Sequence, residues 1–143
     1  MANRTRFRVR YPETDHMGVV HHSHYFTWFE LGRTELMRER GHAYVDLERN
    51  GLFMPVIEAR CRYHAPARYD EELEIETQVV GATRVRVEFA YRIHRAADGK
   101  LLASGTTIHA ATDPQGVPKR MGPEVMKILG FDESGGKVAG GAP

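Results

Sequence analysis

The chain is poor in cysteine. Cys61 is the only one in 143 residues, so no intrachain disulfide can form, and a reducing, cytoplasmic setting is the expectation. It lacks a charge imbalance as well. Lys plus Arg number 20 and Asp plus Glu 19, which argues against a nucleic-acid or membrane-surface partner held by electrostatics. No apolar run reaches membrane-spanning length. Met1–Arg10 carries charges but no apolar core, so it does not read as a secretory signal. There is no internal repeat and no linker-like stretch before the glycine-rich end. A chain of this length predicts one domain, with roughly 70% of its unfolded surface buried. The boundaries expected are one domain over 1–130 and a disordered tail over 131–143, where glycine dominates.

What the chain does have is one crowded connection. Tyr11-Pro12-Glu13-Thr14-Asp15-His16-Met17-Gly18-Val19-Val20-His21-His22-Ser23-His24-Tyr25 packs acids, four histidines and a glycine between two regular patterns. Before it, Phe7, Val9 and Tyr11 alternate with arginines, as in a half-buried strand that Pro12 ends. After it, Phe26, Phe29, Leu36 and Met37 fall at helical spacing up to Arg40. Ser23 is the expected N-cap and Gly41 the stop. A shorter helix is expected over 43–49. Period-two alternation then dominates. Strands are expected from Val56 to Tyr63, from Leu73 to Val79, from Val85 to Ile93 and, after the Asp98-Gly99 turn, from Leu102 to Ala110. A last short helix is expected from Pro123 to Leu129. One strand, one long helix and then an antiparallel meander make an α+β fold.

Connections between elements are where a rigid scaffold can hold reactive groups in partial exposure. Asp15 there can act as a base or a nucleophile, or it can be a turn residue bonding its own backbone. His22 can take part through its side chain or only start the helix. Tyr11 can be a plain core strand residue. Glu30 and Arg33 lie one helical turn apart and can simply pair; Glu30 is also a second candidate acid. Cys61 sits between Arg60 and Arg62 and reads as a buried strand residue. The histidines lack a recognised metal-ligand spacing, so neither metal nor cofactor is expected.

Tyr11-x-x-x-Asp15-x-x-Gly18-Val19-Val20-x-His22-x-x-Tyr25, followed by Glu30-x-x-Arg33-x-Glu35, resembles the signature of hotdog-fold acyl-CoA thioesterases. The branch it resembles holds 4-hydroxybenzoyl-CoA thioesterase and the thioesterase encoded beside the Tol–Pal envelope system. Tyr63-x-x-Pro66-Ala67-x-x-Asp70 resembles that branch too. The resemblance implies a long central helix wrapped by a curved antiparallel sheet. It implies a homodimer, in many members paired into tetramers, with sites at the dimer interface. It implies catalysis by Asp15 with Tyr11 and His22 in attendance, and a backbone amide near His22 polarising the thioester carbonyl. His21 departs from the pattern, since the Tol–Pal-associated enzyme has tyrosine there. Gly18, Val19, Val20 and Tyr25 are the expected substrate contacts. Arg84 and Arg86, with Lys119 and Arg120 behind them, are candidates for the coenzyme A phosphates. The competing functions are a hotdog hydratase or dehydratase, and a non-catalytic acyl-CoA-binding module.

Overall fold

The computed structural model describes residues 2–41 and 44–138. Strand β1 spans Asn3–Arg8 and helix α1 spans His24–Glu39. Helix α2 (Tyr44–Arg49) and strands β2 (Val56–Tyr63), β3 (Glu72–Thr83), β4 (Arg86–Arg95) and β5 (Leu101–Ala110) follow, then helix α3 (Pro123–Leu129). The strands form one antiparallel sheet in the order β1-β3-β4-β5-β2. Helix α1 touches β1, β2, β3 and β4, so the curved sheet wraps it. This is the expected α+β hotdog architecture.

Helix α1 buries Tyr25, Trp28, Phe29, Gly32, Leu36 and Met37, one stripe at the helical period. Two glycines bring helix and sheet this close. A Cβ on Gly32 would stand 2.3 Å from Thr77 Oγ1. A Cβ on Gly105 of β5 would stand 2.7 Å from the Phe29 ring and 2.2 Å from the Arg60 carbonyl of β2. Phe29 in turn stacks on Tyr91 of β4, with centroids 4.3 Å apart and planes 6° from parallel. Gly41, at φ +89°, ends the run beyond Arg40, as expected.

Several expectations need correction. β1 ends at Arg8, and Tyr11 opens a single 3-10 turn, Tyr11–Glu13, rather than closing a strand. Ser23 precedes α1, yet its hydroxyl does not cap the helix and instead meets His21 Nδ1 at 2.9 Å. Of the short helix, Ala43 lies outside the described residues. β4 begins at Arg86, leaving Val85 in the turn. In β5 the inward face changes partway. Leu102 and Ala103 are both buried, and beyond them Thr107 and His109 point inward. A register shift against β4 between Ile93 and His94 inserts the extra residue, and one extra residue exchanges the faces.

The two sheet edges differ. β1 is laced to β3 by exposed pairs of Arg4 with Glu74 and Glu76 and of Arg6 with Glu72 and Glu74. β2 is exposed at every position but Cys61, which is half-buried. Ordered packing continues past the boundary expected at Gly130. Phe131 is 7% exposed, bridges Lys137 and joins the core. Asp132 then closes a turn by accepting from the amides of Ser134 and Gly136. Among the described residues no helix is long and apolar enough to cross a membrane.

Candidate active site

The connection from β1 to α1 is a small hairpin. Thr14 bridges Val20, Asp15 N–H donates to the Val19 carbonyl at 2.8 Å, and Gly18 N–H returns to the Asp15 carbonyl at 3.0 Å. Gly18 has φ +81° with open space where a Cβ would stand, so the turn geometry is what calls for glycine. Asp15 is half-buried, and its Oδ1 accepts from the Met17 amide at 2.8 Å. The turn role weighed for Asp15 is therefore real, and it orients the carboxylate. Val19 bridges Arg68, and Val20 N–H donates to the Ala67 carbonyl at 2.9 Å. The loop is thereby sewn to the segment that precedes β3.

The start of α1 presents one free donor. His21 N–H donates to the Glu13 carbonyl at 3.0 Å, and Ser23 N–H points at His21 Nδ1, 3.3 Å away. The amides of His24 and Tyr25 turn back onto the carbonyls of His21 and His22. Among the described residues the His22 amide has no partner. A helix N-terminus with an open amide attracts a developing negative charge. The His22 ring is exposed and packs against His21, centroids 4.2 Å apart.

Glu13 was not singled out from sequence, yet it is the most buried acid of the loop at 3% exposure. Its Oε1 accepts from the Arg10 amide at 2.7 Å and its Oε2 from Trp28 Nε1 at 3.0 Å. The Arg10 guanidinium stands 3.5 Å away. A charge so buried persists only when paired and hydrogen-bonded. Tyr63 is the second residue missed as a site group. Its hydroxyl donates to the His22 carbonyl at 2.9 Å.

The other expected site residues distribute unevenly. Tyr11 is 72% exposed, with its ring edge-on to Tyr69 at 5.7 Å; it is no core residue. Val20 and Tyr25 are buried at 6% and 2%. They hold up the loop from below and offer no surface to a substrate in this protomer. Burial pushes the Tyr25 phenol above its ordinary range, with a hydrogen bond at Ala67 opposing. Arg84 lies in the β3–β4 turn and Arg86 opens β4, and Arg84 Nε donates to the Glu133 carbonyl at 3.1 Å. The Asp15 loop adjoins the other end of β3, where Val9 N–H meets the Glu71 carbonyl. The twelve residues of β3 put roughly 35 Å of strand between them. One protomer does not bring these arginines to Asp15.

Along the exposed side of α1, Phe26, Thr27, Glu30, Arg33 and Thr34 share one face. Among the described residues, two cavities open on it. One of about 220 Å³ is lined by Phe26, Thr27, Glu30, Arg33, Val56 and Thr107. The other, of about 590 Å³, takes in Glu30, Arg33, Tyr44, Met54 and Asp113. Neither is lined by Asp15 or His22. Glu30 and Arg33 form no ion pair among the described residues. Behind them runs a buried chain: Tyr91 hydroxyl to Thr107 Oγ1 at 2.6 Å, Thr107 Oγ1 to His109 Nε2 at 2.9 Å, and His109 Nδ1 to the Met54 carbonyl at 2.9 Å. Burial holds His109 down at about 4, opposed by the Met54 bond, so it is neutral near pH 7. Cys61 is half-buried, and desolvation raises its thiol, as suits a packing residue. Among the described residues no three His, Cys, Asp or Glu side chains converge as a metal site.

Comparison with known proteins matches the chain to one family. Residues 9–129 fit the family described as the thioesterase-like superfamily. Acyl-CoA thioester hydrolase YbgC of Escherichia coli O6:H1 is 33% identical over 107 residues, which is 75% of this chain and 79% of that protein. DHNA-CoA thioesterase from Staphylococcus aureus superimposes with a TM-score of 0.79 at 32% identity, over 83% of this chain and 80% of that one. A hypothetical protein from Thermus thermophilus, TT1821, superimposes with a TM-score of 0.84 at 37% identity, over 90% and 95%. With these matches and the hotdog architecture, this chain belongs to the thioesterase-like superfamily and is a thioester hydrolase.

Proposed function

We propose that the protein hydrolyses an acyl-coenzyme A thioester to the free acid and coenzyme A. The observation that carries the reading is the open His22 amide at the mouth of α1, on the same short connection as Asp15. The thioester carbonyl oxygen accepts from that amide, and the helix end favours the charge that grows there. Asp15 removes a proton from water as it adds to the carbonyl carbon, or adds itself to give an anhydride that water then opens. The C–S bond breaks, and the proton ends on the departing thiolate. Tyr11 and His22 orient the carboxylate or the water, and Gly18 and Val19 border the substrate. Tetrahedral charge needs no metal in this scheme.

The working unit is a homodimer or a dimer of dimers in the cytoplasm. An edge strand exposed along its length, as β2 is, needs a partner. The two cavities on the open face of α1 lie beside that edge and take the acyl group. A contact from Arg84 or Arg86 to the coenzyme A phosphates must come from the partner protomer. Light scattering at micromolar concentration should show no monomer; a monomer that turns over substrate would remove the shared site.

Thiol release from a panel of saturated, unsaturated and aromatic acyl-CoAs tests the function. Hydrolysis releases one thiol per acid formed. A hydratase consumes the enoyl chromophore without thiol, and a binding module does neither.

A further inference from the structure

We infer that Tyr63 and Glu13 are positioning residues that jointly aim the His22 amide at the substrate carbonyl. The inference rests on the thioesterase reading and goes further, because it assigns the machinery that keeps one backbone donor open and pointed. An amide is oriented by the peptide planes on both sides of it. On one side, the preceding N–H, that of His21, is held by the Glu13 carbonyl at 3.0 Å. On the other, the carbonyl of His22 itself is held by the Tyr63 hydroxyl at 2.9 Å. The next donor along, Ser23 N–H, is occupied by His21 Nδ1. The His22 N–H thus stands open between two clamped groups.

Each clamp is anchored in a different part of the fold. Glu13 is buried, and its carboxylate bonds Trp28, which sits in the second turn of α1, and the Arg10 amide two residues beyond β1. The loop is therefore tied to the helix it feeds. Tyr63 is the last residue of β2. Its ring stands edge-on to Tyr25 at 4.9 Å and to His22 at 6.4 Å. It ties the helix mouth to the sheet edge that the dimer reading pairs with a second protomer. Oxyanion stabilisation depends on donors that are already aimed before the charge appears. Neither residue reaches the reacting atoms in this account, so each acts through the His22 peptide.

Tyr63→Phe is the clean perturbation. The residue is 44% exposed, so losing the hydroxyl opens no cavity. The turnover number should fall about three- to tenfold, the size of one hydrogen bond, with KM and melting temperature unchanged. Two non-hydrolysable probes separate aim from general binding. An acyl-CoA analogue with a difluoroketone in place of the thioester, whose hydrate carries the oxygen of the tetrahedral intermediate, should bind Tyr63→Phe more weakly by a similar factor. A thioether analogue, which has no carbonyl, should bind as it does to the unaltered protein. Glu13→Gln sets an amide N–H against one of the donors that Glu13 now accepts from. It should lose more turnover than Tyr63→Phe, again without a rise in KM, and should melt lower. If Glu13→Gln does not fold, Tyr63→Phe carries the test alone. Unchanged turnover in Tyr63→Phe, or equal weakening of both analogues, overturns the inference. Absence of thiol release by the unaltered protein instead overturns the function on which it rests, so the two failures are distinguishable.

Discussion

Asp15 has one observed job and one proposed job, and paired substitutions separate them. Its Oδ1 accepts from the Met17 amide at 2.8 Å, which closes the turn. Its charge is the proposed base or nucleophile. Asp15→Asn keeps an oxygen in the same place, so the turn survives and the melting temperature should stay within the range of neutral surface changes, about ±0.5 kcal/mol. Asp15→Ala loses the bond to Met17 as well, which should cost about 1 kcal/mol of stability. If the charge does the chemistry, both variants lose the same large factor in turnover. General-base loss costs on the order of 10²–10⁴, or about 3–5 kcal/mol of barrier. If Asp15 is only a turn residue, Asp15→Asn is fully active and Asp15→Ala is merely less stable. Steady-state thiol release, with thermal melts on the same preparations, reads both quantities. Glu30→Gln is the control for the second acid, and it should cost far less than either. Full activity in Asp15→Asn would refute the mechanism, and collapse in Glu30→Gln alone would move the acid onto α1.

Three further outcomes follow from packing and charge. Gly105→Ala places a methyl 2.2 Å from the Arg60 carbonyl and 2.7 Å from Phe29. Backbone cannot yield as a side chain can, so the loss should reach or exceed the usual 1–3 kcal/mol of overpacking, and a denaturant midpoint near the unaltered value would contradict the close approach. Ending the chain after Gly130 removes buried Phe131 and should cost about 1.5–3 kcal/mol, read as a lower melting temperature. His109 is held at about 4 in the fold against about 6.5 in the unfolded chain. A depressed histidine stabilises the fold above its unfolded value. As pH falls from about 6.5 to about 4 the unfolded state takes up the proton first, and about 3 kcal/mol is lost. Melts across that window should show the decline, and His109→Gln should flatten it.

Local chemistry alone determined much of this protein. Apolar spacing with Gly41 behind it marks α1, Asp98-Gly99 marks the β4–β5 turn, and Pro123 and Gly130 bracket α3. Those signals act over a few residues, so no tertiary information is needed to read them. Asp15 is a candidate on the same kind of local signal, because acid, glycine and helix start share one loop. Tertiary structure decided what depends on distant partners. Glu13 looks like one acid among several until Trp28, fifteen residues on, accounts for its burial. Tyr63 looks like the end of a strand until its hydroxyl reaches His22, forty-one residues back. Tyr11 continues an alternating pattern but leaves the sheet at Arg8, because a turn toward α1 must begin there. Arg84 and Arg86 have the right charge for phosphates and sit at the wrong end of β3 for their own Asp15. The faces of β5 exchange at a bulge that only the pairing with β4 reveals. Sequence states which groups are available; the sheet register and the packing of α1 decide which of them meet, because hydrogen bonds and burial act through space and not along the chain.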